Sequence, residues 1–201
     1  MTIISNMSDY RKPGHDISPI FINRWSPRAM SGEEITREEL MRLFEAARWA
    51  PSSLNNQPWR FLYAMRSTEH WEKFFNILTP RNQRWCKNAA VLVVVVSKTT
   101  FDFNNKPART HSYDSGAAWA CLALQGAFMG LVVHGMQGFN YDKAKSELAV
   151  SDEYQVEAMI AIGRPGIKEE LPPDLQEREF PSDRKKLEDI VFEGGFGKQP
   201  V

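Results

Sequence analysis

The chain has 201 residues, of which 42% are hydrophobic and 25% are charged, and its 25 basic and 25 acidic side chains give a formal net charge of zero. This length fits one domain of about 100–200 residues with an additional arm, and the hydrophobic content excludes wholesale disorder. Zero net charge disfavours a nucleic-acid binder, whose affinity would depend on neutralising phosphates. Cys86 and Cys121 lie too far apart for a CxxC motif, so we expect a protein of the reducing cytoplasm.

The first fifty residues predict an arm followed by a helix. Residues 1–9 lack the basic region and apolar run of a secretory signal, and the mixed polar character of residues 1–20 indicates an N-terminal arm. Thr36 and Glu39 have the spacing of a capping box, and the apolar residues that follow recur with helical spacing. We therefore predict a helix over residues 36–50, ended by Pro51.

The rest of the chain alternates between strand and helix patterns. In chain order they predict a polar loop at 52–58, a strand at Trp59–Met65, a helix at 68–78, a strand at 89–96, a helix at 113–130, a strand at 131–136, a helix at 141–149 and a strand at 155–162. The strand at 89–96 has the clearest signal, because an unbroken Val/Leu run is typical of a strand covered on both faces.

One segment raises the question of a membrane helix. No Asp, Glu, Lys or Arg occurs from residue 115 to residue 141, and a membrane span needs about 20 mostly apolar residues. Gln125 and His134 interrupt this segment, and no basic cluster flanks it. We therefore predict a helix buried on nearly every side and then a short buried strand, with a membrane helix as the alternative.

Helices that alternate with about four strands predict an α/β or α+β protein. The segment after Gly166 is rich in proline and charge but contains apolar side chains at Leu187 and residues 190–192. Those side chains must pack against something. A strand added to the sheet edge of a partner is one solution, and it would imply a dimer.

Several common chemistries have no signature in this chain. There is no GxxxxGK[ST] loop, no GxGxxG after a predicted strand and no GxSxG. The four histidines lack metal-ligand spacing. We therefore predict no metal site and no catalytic side chain, which leaves chemistry that a cofactor supplies.

Two polar segments suggest where such a cofactor would bind. Residues 24–28 (RWSPR) place two guanidinium groups around a hydroxyl, a donor set that matches phosphate oxygens; a solvated basic turn is the alternative. Residues 51–57 (PSSLNNQ) present donors and acceptors that suit a planar heterocycle, and the flanking prolines limit the loop's freedom. A turn whose polar groups satisfy one another is the alternative there.

The order of these motifs resembles the FMN-dependent nitroreductase family, in particular its shorter members. Arg-x-Ser-x-Arg, a helix, and then Pro-Ser-Ser-x-Asn-x-Gln-Pro-Trp follow the family pattern. Similar matches continue at Asn82, at the GL…GF segment of residues 130–139, at Gly163 and at residues 182–191. The resemblance covers about residues 20–193.

The resemblance implies an α+β fold with a central mixed, mainly antiparallel sheet of four to five strands flanked by helices. It also implies an interwoven homodimer with exchanged C-terminal arms and one FMN in each of two interface sites. We accordingly expect an N-terminal arm at 1–20, an FMN-binding domain at 21–166 and a C-terminal arm at 167–201 that packs on the partner subunit. NADH or NADPH would be the co-substrate and a small molecule the electron acceptor, with no nucleic-acid or membrane partner.

The resemblance also assigns cofactor-binding residues by position. The phosphate and ribityl end would be held by Arg24, Trp25, Ser26, Arg28 and Arg184. The ring and the ribityl chain would meet Pro51, Ser52, Ser53, Asn55, Gln57 and Asn82, in part across the dimer interface. Gln137 and Gly138 would approach the reactive edge of the ring, where glycine permits close backbone approach.

The chain departs from the family pattern at three places. Trp85 stands where the best-known members have a lysine, so backbone donors or Arg60 would have to stabilise the reduced flavin. Ser182 replaces a frequent lysine, which leaves fewer charges for the phosphate. The cover between the valine-rich strand and the next helix is reduced to about residues 97–112, which predicts a more open or differently covered site.

The implied activity is an FMN-dependent NAD(P)H oxidoreductase that passes a hydride through flavin N5 to a nitroaromatic, a quinone or a similar acceptor by ping-pong turnover. Other flavin chemistry on the same fold is an alternative: enone reduction, dehalogenation or flavin breakdown. A flavin-binding protein without turnover and a structural dimer without cofactor are the remaining alternatives.

Overall fold

The computed structural model describes residue 7 and residues 9–197. The described residues form, in order, α1 (Pro19–Asn23), α2 (Arg37–Arg48), β1 (Trp59–Met65), α3 (Trp71–Phe75), α4 (Pro80–Cys86), β2 (Val91–Lys98), α5 (His111–Phe128), β3 (Val132–Met136), α6 (Tyr141–Glu147), β4 (Tyr154–Gly163) and α7 (Pro173–Gln176). Single 3₁₀ turns occur at Ser53–Asn55, Lys168–Glu170 and Leu187–Asp189. The predicted arm at 1–20 and the expectation about residues 1–9 fall partly outside the described residues.

The strands form one four-stranded sheet in the order β1-β2-β4-β3. Each neighbouring pair is antiparallel, so the parallel pairing that a mixed sheet would need does not occur among the described residues. The prediction of an α+β fold with a mainly antiparallel sheet of four strands is confirmed. β1 and β3 are the two edge strands, and the valine-rich β2 lies inside the sheet.

The core has two halves, one on each face of the sheet. Alternate β2 residues, beginning at Leu92, pack against α3, α4 and α7, whereas their neighbours, beginning at Val91, pack against α2 and α5. Both of these residues are 0% exposed. A strand buried on both faces explains why its sequence is continuously apolar rather than alternating.

The capping box predicted for α2 is present. The Thr36 hydroxyl accepts a hydrogen bond from the Glu39 backbone N–H at 3.1 Å, and the Glu39 carboxylate accepts one from the Thr36 N–H at 2.7 Å. The helix ends before Pro51, as predicted. The prediction of β1 also matches the structure residue for residue.

The helix predicted over residues 68–78 is too long. The structure has α3 at Trp71–Phe75, and a second helix, α4, begins at Pro80. Proline fits the first turn of a helix, where its missing N–H costs nothing. Because only Trp85 and Cys86 of α4 are buried, its periodic signal is too weak to recognise in the sequence.

The prediction that α5 is buried on nearly every side is wrong for the single chain. Ala118 and Leu122 face the sheet and are 0% exposed, but Tyr113 is 82% exposed and Phe128 is 56% exposed. The described residues include no helix that is long and apolar enough to span a membrane. The outward side of α5 is therefore an apolar face that the described chain leaves uncovered.

The segment after Gly166 divides into two parts. Leu171 and Leu175 are buried in the core of their own chain, whereas Leu187 and Ile190 are 50% and 55% exposed. The first part therefore belongs to the subunit's own packing. Only the second part has the exposed apolar side chains expected of an arm.

Gly166→Ala is expected to lower the free energy of unfolding by about 1–3 kcal/mol, the range for overpacking a tight contact. Gly166 donates its N–H to Ala29, and an added Cβ would lie 2.5 Å from the Met30 carbonyl carbon. Backbone cannot move aside as a side chain can. Gly14→Ala is the control, because nothing lies within 4 Å of its added Cβ, and we expect a change within about 0.5 kcal/mol. Equal effects in chemical denaturation would contradict the prediction.

Candidate active site

Three guanidinium groups from distant parts of the chain lie close together. Burial and then the charge of Arg184 lower the pKa of Arg24. The pKa of Arg11 is lowered by burial, by Arg184 and by Arg24, against an opposing effect of Asp183. Among the described residues, none of the three arginines has a carboxylate within 4.0 Å of its guanidinium nitrogens. Arg11, Arg24 and Arg184, hereafter the arginine cluster, thus form a site suited to an anion.

Arg28 is held elsewhere. Its Nη1 lies 3.4 Å from Oε2 of Glu179, whose side chain is 3% exposed. The other carboxylate oxygen accepts the backbone N–H groups of Arg28 at 2.5 Å and Ala29 at 2.8 Å. Arg28 is not among the charges that lower the pKa of Arg24 or Arg11. The structure therefore brings Arg24 and Arg184 together but pairs Arg28 with a buried carboxylate.

A cavity of about 400 Å³ lies beside the segment of residues 24–28. Arg24, Trp25 and Pro27 line one side of it, and Ala123 and Ala127 of α5 line another. The Ser26 hydroxyl accepts a hydrogen bond from Arg24 at 3.4 Å. The serine and the arginine of the predicted phosphate motif therefore point to each other.

His134 anchors this segment to the sheet. Its Nδ1–H donates to the Pro27 carbonyl at 2.9 Å, and its ring centroid lies 4.6 Å from that of Trp85. Burial is the largest cause that lowers the pKa of His134. Because its Nδ1–H is bonded to the Pro27 carbonyl and burial favours the neutral ring, His134 holds the segment of residues 24–28 in place as an uncharged donor.

Protonation of His134 should make the folded protein less stable as the pH is lowered. Its pKa in the folded state lies below the unfolded value of 6.5, so the unfolded chain binds the proton more readily. Stability is then fully present above about pH 6.5 and is lost as the pH falls below it. We expect urea denaturation at pH 7.5 and pH 5.5 to show a larger loss of unfolding free energy in the wild type than in His134→Gln. The same loss in both proteins would contradict this assignment.

The loop of residues 51–58 has a strained backbone. Leu54, Asn55 and Gln57 have φ values of 51°, 55° and 47°. These values lie in the left-handed region, which residues other than glycine rarely adopt. Two bonds hold this shape: the Ser52 hydroxyl accepts from the Gln57 N–H at 3.0 Å, and the Ser53 N–H donates to Asp114 at 3.1 Å. Strain of this kind is characteristic of ligand-binding segments.

Part of the loop remains available to a ligand. Asn55 and Gln57 are exposed, as is Pro51, which precedes them. In the part of the chain that the structure describes, the Ser53 hydroxyl and the Asn55 amide make no hydrogen bond. Arg60 donates to the Gln57 carbonyl at 2.9 Å, which places a positive charge next to these groups.

Asn82 holds the turn at Gly138. The Gly138 carbonyl accepts from the Asn82 amide at 3.0 Å and from the Thr79 hydroxyl at 3.0 Å, and a Cβ on Gly138 would lie 2.5 Å from the Asn82 Nδ2. The close approach at this glycine is thus made by Asn82, while the neighbouring Gln137 is exposed. Trp85 is 3% exposed and donates to Asn82 at 3.3 Å, so it supplies no charge in place of a lysine.

Two of the predicted groups, the loop of residues 51–57 and the segment of Arg24, lie at opposite ends of α5, and Asn82 and Gly138 form a third group. The strained loop is bonded to Asp114 near the start of the helix, and Arg24 shares a cavity with Ala127 near its end. From Asp114 to Ala127, a helix rising about 1.5 Å per residue covers about 20 Å. Within one chain these two parts of the predicted site, hereafter the half-sites, are therefore separate.

Three residues of the site were not identified in the sequence. Arg11 lies in a polar segment without a motif, and Glu179 lies in the proline-rich tail. Asp114 is 5% exposed and caps both the Ser53 N–H and the Thr110 hydroxyl. A lone acidic residue at a helix start usually faces solvent, so nothing in the sequence distinguished it.

A serine, a histidine and a carboxylate also meet at the far end of the sheet. The Ser97 hydroxyl lies 2.7 Å from Nδ1 of His111, and Glu157 lies at the bulge in β4. Ser97 is 0% exposed, so a substrate cannot reach its oxygen. This cluster is a polar network around a buried serine and not a hydrolytic site.

Comparison with known proteins agrees with these features. The family model described as "Nitroreductase family" matches residues 22–79. An oxidoreductase crystal structure containing FMN is 44% identical and superimposes with a TM-score of 0.91, over 99% of this chain and 100% of that one.

More distant proteins share the fold. A nitroreductase family protein from Clostridium difficile is 21% identical with a TM-score of 0.66, over 86% of this chain and 94% of its own. A Rhodopseudomonas palustris protein, provisionally named NADH dehydrogenase/NAD(P)H nitroreductase, is 24% identical over 75% of this chain and 86% of its own. These matches bear out the resemblance to the nitroreductase family: the family model matches residues 22–79, and the full length of the chain is similar to an FMN-containing oxidoreductase.

Proposed function

We propose that the protein is an FMN-dependent NAD(P)H oxidoreductase that reduces a nitroaromatic, a quinone or a similar electron-poor acceptor. The observation that supports this most is the arginine cluster, in which Arg11 bonds to the Arg24 carbonyl and to the Ser182 carbonyl that Arg184 also contacts. Among the described residues, none of the three guanidinium groups has a carboxylate partner. The 44% identical structure contains FMN, and a provisionally named nitroreductase from Desulfovibrio desulfuricans, 24% identical, forms a complex with FMN.

The residues present fit FMN at both of its ends. A phosphate dianion would offset the like charges of Arg24 and Arg184, and the Ser26 hydroxyl would add a donor. At the other half-site, Ser53, Asn55 and Gln57 provide both donors and acceptors, as the edge of an isoalloxazine requires. Their strained but internally bonded loop is organised before a ligand arrives, which lowers the entropic cost of binding.

When bound, FMN supplies hydride chemistry at N5, accepting from NAD(P)H and giving to the acceptor in turn. The protein's own part is orientation and electrostatics. Asn55 and Gln57 would fix the ring by hydrogen bonds, and Arg60, held at the Gln57 carbonyl, would bring a positive charge to the ring end of the site. A positive group near a site where negative charge develops stabilises that charge.

We further propose that two chains complete each site. A two-fold partner whose α5 packs antiparallel to this one would place the loop of one subunit next to the other subunit's Arg24. The uncovered face of α5, with Tyr113 82% exposed, supplies the apolar surface for that contact. In this assembly residues 21–166 form the FMN-binding domain, and the exposed Leu187 and Ile190 are the part of the 167–201 arm that the partner covers.

Steady-state kinetics test the proposed activity. The FMN-loaded protein should oxidise NADH or NADPH when a soluble quinone or a nitrofuran is added, and double-reciprocal plots at several acceptor concentrations should be parallel, as ping-pong turnover requires. A protein that binds FMN tightly but does not oxidise either nucleotide with any acceptor would be a flavin-binding protein without turnover, contrary to the proposal.

A further inference from the structure

We propose that Arg11 is a positioning residue that completes the phosphate half-site by holding Arg24 and the segment of Arg184 together. This inference rests on the proposed function, because it assumes that the arginine cluster receives the FMN phosphate. Arg11 lies before residues 22–79, which the family model matches, and outside both motifs by which the sequence resembles the family. It assigns a functional role to a segment that the sequence showed only as an arm.

The guanidinium of Arg11 joins three segments of the chain by hydrogen bonds. Its Nε donates to the Ser182 carbonyl at 2.8 Å, and its Nη1 donates to the carbonyls of Ile22 and Arg24, each at 2.8 Å. Ser182 also accepts from Arg184 through both its carbonyl and its hydroxyl. Arg11 therefore fixes the backbone of Arg24 and the turn that holds Arg184.

The burial of the Arg11 charge is energetically costly in the chain alone. The residue is 8% exposed, and its only compensating groups among the described residues are backbone carbonyls and the longer-range charge of Asp183. Burying a charge without a full partner is costly, and two more guanidinium groups nearby raise that cost. A dianionic phosphate at the cluster would attract all three guanidinium groups and so offset their mutual repulsion.

Lysine could not replace this arrangement. Arginine presents a planar fork of donors in fixed directions, whereas the lysine ammonium is a point charge on a flexible stem. The three acceptors lie on two separate segments, residues 22–24 and Ser182, and one planar fork can hold both segments at once. A lysine would keep the charge but lose part of this geometry, which gives a conservative variant for the test.

The experiment compares FMN with riboflavin, which has the same ring but no phosphate. For the wild type, Arg11→Met, Arg11→Lys and Lys87→Met, dissociation constants for both flavins are measured by quenching of flavin fluorescence. We expect Arg11→Met to weaken FMN binding by about tenfold or more, as losing about 1.4 kcal/mol would, and to leave riboflavin binding within about twofold. Arg11→Lys should fall between Arg11→Met and the wild type. Lys87→Met, which removes an exposed charge outside the linings of both cavities beside the cluster, should match the wild type.

The outcomes separate this inference from the proposed function. A wild type that binds no FMN overturns the proposed function and this inference with it. A wild type that binds FMN, together with an Arg11→Met variant of equal FMN affinity, overturns the role of Arg11 alone. An equal loss of FMN and riboflavin affinity also overturns it, because that result indicates general structural damage. If Arg11→Met does not fold, a selective loss of FMN binding in Arg11→Lys supports the role, and unchanged FMN binding in Arg11→Lys overturns it.

Discussion

Arg24→Met should weaken FMN binding by about a hundredfold, which corresponds to about 2.7 kcal/mol. Arg24 is half-buried beside Arg184 and has no carboxylate within ion-pair distance among the described residues. A charge-assisted bond between its guanidinium and a phosphate is about twice as strong as a neutral hydrogen bond. Calorimetric titration with FMN measures the effect.

The dependence of FMN affinity on salt gives a second test of the Arg24 variant. In the wild type, FMN affinity should fall as the ionic strength rises, and the variant should show a weaker dependence because one charge is gone. Arg178→Met removes an exposed guanidinium elsewhere in the tail and should leave both affinity and salt dependence unchanged. An Arg24→Met protein that binds FMN like the wild type would show that the arginine cluster is not the phosphate site.

Glu179→Leu should lower the free energy of unfolding by about 3–5 kcal/mol, the usual cost of removing one partner of a buried ion pair. The substitution leaves the N–H groups of Arg28 and Ala29 without their acceptor and leaves the Arg28 guanidinium without its counter-ion. Chemical denaturation measures the change.

Two variants isolate the cause of the Glu179 effect. Glu179→Gln keeps an oxygen that can accept the two backbone N–H groups and loses only the charge, so its cost should be clearly smaller. Glu177→Leu, at an exposed position of the same segment, should change stability by no more than about 0.5 kcal/mol. If Glu179→Leu were as stable as Glu177→Leu, Glu179 would not anchor the segment of residues 24–28.

Local patterns predicted the parts of the fold that local forces determine. The capping box located the start of α2. Successive residues of β2 pack into the two halves of the core in turn, so the strand is apolar throughout, and that unbroken run predicted a buried strand. The other three strands were also predicted, although they are less completely buried. α4 was not, because Pro80 begins a helix of seven residues with only two buried side chains.

Long-range packing determined what the sequence could not show. Arg24 and Arg28 look equivalent in the sequence, yet the chain folds Glu179 against Arg28 and Arg11 against Arg24. Both partners lie in segments without periodicity or motif. Likewise, the absence of charge predicted that α5 would be buried, but it did not distinguish burial inside one chain from an apolar face left for a partner.

The most direct test of the account is the absorbance spectrum of the purified protein after addition of FMN and removal of free flavin, repeated after anaerobic addition of NADH or NADPH. The protein should retain one FMN per subunit, its visible flavin absorbance should bleach with one of the nucleotides, and a quinone added without oxygen should restore that absorbance. A protein that stays colourless, or a retained flavin that neither nucleotide bleaches, would contradict the account.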